Sequence, residues 1–454
     1  MPFRFGAVTI THGQQAVIRL RVRLADGREA WGHGAESLAA KWFDKDPAIS
    51  DEANLHQLRR ALELAEAAYL AAGPATPFGL YAETYALHIA ACAAEGLNPL
   101  VAGFGPAMLD RAVLDAACRA ERTDAFTALR ANLPGLAAHP VAPDLAGLDP
   151  PAFLASLHPS PTIEARHTVG LVDPITAADQ TAPVDDGLPE TLEEVVATYG
   201  HRWFKLKVGG ALAADLDRLA RVAAVLDRIP GGYQATIDGN EQYDDADAAL
   251  ALWRAIAAHP RLQRLAAAVA FIEQPIRRVS AFAAPVHALA AERPVLIDES
   301  DDTLAAFPRA RALGYAGVSS KLCKGLYKSL LNRARCAQWG GGAFMSGEDL
   351  TTQPGLSVQQ DLALATLLGL THVERNGHHF IDGFGDRPAA EAEATLAAHP
   401  DLYRRSNGRV RLRIEDGRLA IGSLACPGFA AAALPDFAAL APMPRAAWPS
   451  PLLP

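Results

Sequence analysis

Residues 203–210 read WFKLKVGG. Successive side chains of a strand point to opposite faces, so Phe204, Leu206 and Val208 share one face and Lys205 and Lys207 the other. Burying two cations without partners is costly. The pair therefore marks a site rather than a packing surface, and the neighbouring strands should say what surrounds it.

Outward from this stretch, short β-rich runs recur between about 162 and 375, each followed by a turn and a helical segment: TIEARHTVG, WFKLKVG, ATIDGN, AFIEQP, VLIDES, GVSSK, AFMSGED and THVE. Eight such runs are present, and their polar landmarks Lys207, Asp238, Glu273, Asp298, Lys321, Glu348 and Glu374 are spaced 31, 35, 25, 23, 27 and 26 residues apart. A (β/α)8 barrel takes roughly 30 residues per unit. A doubly wound open sheet is the competing α/β fold, but no Gly-rich phosphate loop follows the first run. The barrel is thus expected over 162–395.

Before it, AVTI, AVIRLRVRL and EAWGHG read as a small meander with an Asp-Gly turn in ADGRE, and residues 51 to 130 turn helical and alanine-rich. This gives an α+β domain over 1–135, joined by a Pro/Gly-rich linker or long loop at 136–161. Residues 396–454, with a second Asp-Gly hairpin in RVRLRIEDGRLAIGS, are expected to return to the first domain. The 454-residue chain is half hydrophobic and one-fifth charged, with a formal net charge of −9 and no long basic run. That composition suits a globular protein and argues against nucleic acid or an anionic membrane as partner. Five scattered cysteines without a CxxC pair argue against a disulfide framework or a zinc site. The absence of a signal-peptide layout adds the expectation of a cytoplasmic protein.

Asp238, Glu273 and Asp298 close three successive strand runs, at the end where barrel enzymes assemble their sites. Crowded together without a cation, at least one would have to hold a proton. A hard divalent cation such as Mg2+, which takes oxygen ligands, removes the conflict. Neighbours on a strand point opposite ways, so Asp298 and Glu299 should not both face the ion. Asn240 shares the face of Asp238 and either orients an oxygen or caps a helix. Lys321 ends the sixth run, opposite the second on an eight-strand circle, so two amines would face each other across a bound substrate. Nearby positive charge would lower an amine towards the range of a general base.

FKLKVGG, TIDGNEQYD, FIEQP, IDES and SSKLCKG, in that order, resemble the enolase superfamily, and most nearly its muconate-lactonizing-enzyme subgroup, with mandelate racemase a more distant relative. The resemblance implies a TIM-type barrel with an α+β capping domain built from the N-terminal region and the C-terminal tail. It implies Mg2+ on Asp238, Glu273 and Asp298, Lys207 and Lys321 as acid/base lysines, Lys205 beside the metal-bound carboxylate where it tunes Lys207, and assembly into a homo-oligomer. The subgroup's Lys-x-x-Lys-x-Gly-Gly is replaced here by Lys321 with LCKGLYKSL after it, which makes Lys324 an alternative to Lys321.

The implied chemistry is abstraction of a proton α to the carboxylate of a small molecule, followed by racemisation or epimerisation, elimination, or cycloisomerisation. The loop GHGAESLAAKWFDKD (32–46) is expected over the barrel mouth, where Lys41 would meet an anion and Trp42 and Phe43 either wall an apolar group or, the reading favoured by a small margin, simply pack between the domains. Glu348 and Asp349 either bind substrate and support Lys321, or serve as ordinary helix-start acids. His378 and His379 read as a surface turn, since no HxH or HExxH spacing accompanies them. Two other readings compete: a catalytically silent barrel acting as a binding or scaffold protein, and a zinc-dependent hydrolase. The first should lack a metal ligand or lysine, and none is missing. The second needs histidines at strand ends, where only His167 sits on an expected strand.

Overall fold

The computed structural model of the chain describes residues 2–5, 8–137, 139–446 and 448. The N-terminal part opens with two separate antiparallel hairpins, β1 (Phe3–Phe5) with β2 (Val8–Ile10), and β3 (Gln15–Arg23) with β4 (Glu29–Ser37). The expected single meander is therefore two small sheets. The turn between β3 and β4 forms where Asp26-Gly27 places it, with Gly27 at φ 86°. A short helix α1 (Ala40–Phe43) leads into α2 (Asp51–Ala71), α3 (Pro77–Ala94) and α4 (Pro99–Ala120). Ser50, Thr76 and Asn98 cap the three long helices, each accepting a backbone N–H three residues on, and Pro77 and Pro99 occupy the first helical positions, where no N–H is needed. Helix α4 lies flush on β4: a Cβ at Gly32 would stand 1.8 Å from the Ala112 carbonyl oxygen, so the glycine in EAWGHG is what lets helix and hairpin meet.

Eight parallel strands follow: β5 (Thr162–Val169), β6 (Trp203–Lys207), β7 (Gln234–Asp238), β8 (Val269–Glu273), β9 (Val295–Ile297), β10 (Gly317–Ser320), β11 (Phe344–Gly347) and β12 (His372–Glu374). Each pairs with the next, and β12 pairs with β5 in the register Val373↔Ala165, which closes the barrel and excludes the open sheet. Phe204, Leu206 and Val208 join Leu219, Val222 and Leu226 of the following helix (Leu212–Leu226) in one buried cluster outside the barrel. The alternate residues point inward. Trp203 stacks on His372 at 3.8 Å and Phe271 lies 5.3 Å from Phe344, plugging the N-terminal end of the barrel. Lys205 and Lys207 follow on the same face of β6, one and two steps nearer the mouth.

The stretch at 136–161 is packed: Leu136, Leu145, Phe153, Leu154 and Leu157 are buried in one cluster with Leu326 and Leu330, and Asp144 accepts two bonds from Arg335, at 2.7 and 2.9 Å. Past the barrel, β13 (Tyr403–Ser406) and β14 (Arg409–Leu412) form a hairpin. Asp416 and Gly417 then both adopt the left-handed region, at φ 49° and 76°, which a two-residue hairpin turn requires. That turn sets β15 (Arg418–Ala420) antiparallel to β5. The tail next reaches α4, where Phe429 N–H donates to Asp115 at 2.6 Å and Arg119 donates to the Ala431 carbonyl at 2.8 Å. It thus joins the barrel's outer edge as well as the N-terminal part. All five cysteines are free and buried. Among the described residues no helix is long and apolar enough to cross a membrane.

Candidate active site

Asp238, Glu273 and Glu374 are the last residues of β7, β8 and β12, while Asp298, Lys321 and Glu348 lie one residue past β9, β10 and β11. The Lys205 ammonium sits at the centre of this ring. Its Nζ is 2.7 Å from Glu348 Oε2, 2.8 Å from Glu273 Oε1, 3.0 Å from Asp238 Oδ2 and 3.1 Å from Glu374 Oε2. An ammonium has three donors, so four carboxylates share them. Glu348 also takes the Arg166 guanidinium and, at 2.8 Å, the Ser346 hydroxyl. Glu374 accepts from the Thr168 hydroxyl and, at 3.0 Å, from Asn376 Nδ2. Asp349 is held by Thr352 and by the Asn376 N–H, the latter at 2.9 Å.

One step nearer the mouth, Lys207 Nζ lies 2.5 Å from Asp238 Oδ2. Across the barrel, Lys321 pairs with Asp298 Oδ2 while Ser319 Oγ donates to Oδ1. Lys324 lies below, bonded to Ser319 at 2.7 Å and to Asp301 at 3.2 Å. Lys205, Lys207, Asn240, Lys321, Asp349, Glu374 and Trp42 line one cavity of about 30 Å³. That leaves room for little more than a water, so the inner cavity is narrow. The lid comes from Phe3, Ile10, Ala39 and Trp42 on one side and Leu350 and Thr351 on the other. Phe3, Ile10, Ala39, Leu350 and Thr351 also line an outer cleft of about 760 Å³.

The electrostatics follow from this crowding. Burial, with the charges of Asp238 and Glu348, pushes Glu273 well above the usual carboxylate range. Burial raises Glu348 as well. Burial also opposes charge on Asp238 and Asp298, but the flanking lysines outweigh it and hold both low. Lys321 is pulled both ways. Burial and Lys205 act to lower it, but Asp298 beside it holds the ammonium above the ordinary lysine range.

The residues read from the sequence mostly meet here. Trp42 covers Lys321, with Nζ 4.3 Å from its ring centroid, whereas Phe43 turns away and packs edge-on against Phe104 at 5.5 Å. Asn240, at φ 39°, donates its N–H to Asp238 Oδ1 at 2.8 Å and leaves its own Oδ1 without a partner. Lys41 is not brought into the inner cavity. It donates to the carbonyls of Ile49 and Asp46 and lines only the outer cleft. The residue that reaches the barrel is Lys45, 2.5 Å from Glu241 and 2.9 Å from Glu299. Arg278 completes the clasp, bonding Glu241 and the carbonyls of Trp42 and Phe43. Burial pushes Glu241 up, but Arg278 and Lys45 outweigh it and bring the carboxyl to about 2. Only the chain reversal after Asp238, with positive φ at Asn240 and Glu241, turns Glu241 to this rim, so its position in the sequence carried no signal of it.

The carboxylates fit a cation in charge and in unmet valence: Glu273 Oε2 is buried without a hydrogen-bond partner. They are not drawn together. Among the described residues the one group of three or more His, Cys, Asp or Glu side chains with ligand atoms within 4.8 Å of one another is His167, His201 and His378. Asp238 is held instead by Lys205 and Lys207, and Asp298 by Lys321 and Lys324. His378 and His379 are fully buried, not in a surface turn, because the segment after β12 folds back under Tyr199, whose hydroxyl donates to the His378 carbonyl at 3.0 Å.

Comparison with known proteins agrees with this architecture. The family described as Enolase C-terminal domain-like matches residues 187–423, just over half of the chain. No curated protein matches it. Similar solved structures include a mandelate racemase/muconate lactonizing enzyme from Bordetella bronchiseptica RB50, at 18% identity over 97% of this chain and 99% of that one, with a TM-score of 0.56. A muconate lactonizing enzyme from Klebsiella pneumoniae is 19% identical over 92% and 91% (TM-score 0.55). A dipeptide epimerase from Enterococcus faecalis V583, complexed with Mg and the dipeptide L-Leu-L-Tyr, is 14% identical over 94% of each chain (TM-score 0.58). The protein belongs to the enolase superfamily, among its mandelate racemase/muconate lactonizing enzyme-like members.

Proposed function

We propose that the chain is a Mg2+-dependent enzyme that removes the α-proton of a small carboxylate substrate. The observation that carries this reading is the pair of amines, Lys207 from the second barrel strand and Lys321 from the end of the sixth, lining one narrow cavity beside three buried carboxylates. An unaided amine cannot take so weakly acidic a proton. Mg2+ held by Asp238, Glu273 and Asp298 would supply the positive charge that stabilises the developing enediolate. Lys207 then takes the proton at Nζ on one face. Lys321 returns one on the other face, which racemises or epimerises, or it supports elimination or cycloisomerisation by protonating a leaving group or through its charge. Lys205, central to the carboxylate ring, orients the substrate carboxylate. Trp42 keeps water from Lys321, and the N-terminal part acts as the cap that must open for entry.

The test is hydrogen–deuterium exchange in D2O with Mg2+ over a panel of acid sugars, N-acyl amino acids, dipeptides and unsaturated diacids. For a substrate that exchanges, Lys207→Ala and Lys321→Ala should each fold normally and each lose exchange of one stereoisomer, by roughly 10²- to 10⁴-fold. Undiminished exchange of both stereoisomers by both variants would overturn the assignment.

A further inference from the structure

We infer that the chain carries a second metal site, separate from the carboxylate ring, in which His167, His201 and His378 bind a transition-metal ion of the Zn2+ type. His167 lies on β5, His201 just before β6, and His378 beyond β12. Inward-facing Arg166 and Thr168 bond to Glu348 and Glu374, so His167, between them, points out of the barrel. The three rings meet behind its wall, at 2%, 0% and 2% exposure.

Their ligand nitrogens all lie within 4.8 Å of one another. His378 Nε2 is 3.1 Å from His167 Nδ1 and 3.2 Å from His201 Nε2. Two imidazole nitrogens on a tetrahedral zinc, each bound at about 2.05 Å, stand about 3.3 Å apart. Two of the three nitrogen pairs are therefore already at ligand spacing.

Neutral rings meet this arrangement only by sharing a single proton. His201 Nδ1 lies 2.8 Å from the Ala165 carbonyl, which can only accept, so Nδ1 carries that ring's proton and Nε2 presents a bare lone pair. His378 Nε2 has at most one proton to share between two contacts, and His378 Nδ1 has no partner at all. Imidazolium would relieve the clash only as an unpaired buried charge, since the surrounding rings are Tyr199, Phe204 and His379. A metal ion takes all three lone pairs. The Ala165 carbonyl then plays the usual outer part, fixing the tautomer and orientation of a ligating histidine. All-nitrogen donors suit zinc, cobalt, nickel or copper and are poor for magnesium, so the two sites should sort their ions by chemistry. Three protein ligands leave one tetrahedral position for water. An ion there would tie the barrel's closing seam, β12 to β5, to the 376–380 segment that carries Asn376 and Phe380.

The experiment uses the untagged 454-residue chain refolded with Co2+ in excess Mg2+, which is there to fill the proposed oxygen-ligand site. About one equivalent of Co2+ should remain after gel filtration, with intense tetrahedral d–d absorption, and Zn2+ should displace it and raise the thermal transition. His378→Gln and His201→Gln should each abolish retention and spectrum, while Asp298→Asn keeps both. Should neither histidine variant fold, X-ray absorption on the unaltered Co2+ protein decides: about three imidazole nitrogens support the site, and an all-oxygen shell overturns it. Failure of the unaltered chain to retain Co2+, or retention by a folded His378→Gln, also overturns it. None of these readouts depends on turnover, so they stand apart from the exchange test.

Discussion

Lys205→Met removes one charge and leaves a side chain of similar length and apolar stem in the barrel. The Lys205 ammonium is all but fully buried and stands within 3.1 Å of four carboxylates. Removing one partner of a buried ion pair costs about 3–5 kcal/mol, because the remaining charge is left uncompensated. Here four acids lose their shared cation. Arg166 still serves Glu348 and Lys207 still serves Asp238, whereas Glu273 and Glu374 lose the one cation each is paired with. We therefore expect a loss near 3–5 kcal/mol, measured as the shift in urea-unfolding free energy in EDTA. Mg2+ in excess should recover part of it, since a cation at Asp238 and Glu273 takes over the missing charge. A change below about 1 kcal/mol in EDTA would refute the view that Lys205 neutralises the ring. A full loss insensitive to Mg2+ would refute the placement of the ion beside it.

Two further outcomes test other parts of the structure. Trp42→Ala removes the ring under the Lys321 ammonium. A cation–π contact of about 0.5–2 kcal/mol predicts a 2- to 30-fold fall in kcat/KM on whichever substrate the exchange screen identifies, with Trp42→Phe retaining most activity. His372 accepts from Arg166 at Nδ1, at 2.7 Å, and burial together with that guanidinium holds it well below the ordinary histidine range. The unfolded chain therefore binds the proton first, and this residue's contribution to stability is lost as pH falls below about 6.5. His372→Asn should flatten the fall of unfolding free energy between pH 6 and pH 5 by up to about 1.4 kcal/mol per pH unit. An unchanged slope would contradict a neutral His372.

Much of the barrel was legible residue by residue. Alternation in FKLKV is a local property of an extended chain, so apolar residues outward and lysines inward followed without knowledge of any neighbour. Asp238, Glu273 and Glu374 close their strands as read, and the Asp-Gly turns at 26–27 and 416–417 formed because only a few residue types enter the left-handed region at low cost. Alternation served less well past the strand ends. Glu299 reaches Lys45 at the same rim as Asp298 because β9 stops at Ile297 and the chain turns.

The sequence by itself determined which residues face inward, at which end of the strands the acids collect, and that amines lie on opposing strands. These depend on period and spacing, which a linear string records. Only the tertiary structure decided that Lys45 rather than Lys41 spans to the barrel, that Trp42 and Phe43 part company, and that the tail adds a strand to β5. It alone brought His167, His201 and His378 together. Their 211-residue span is crossed only when β12 meets β5. Closure of a barrel is a long-range event, and no local pattern encodes which side chains it leaves face to face.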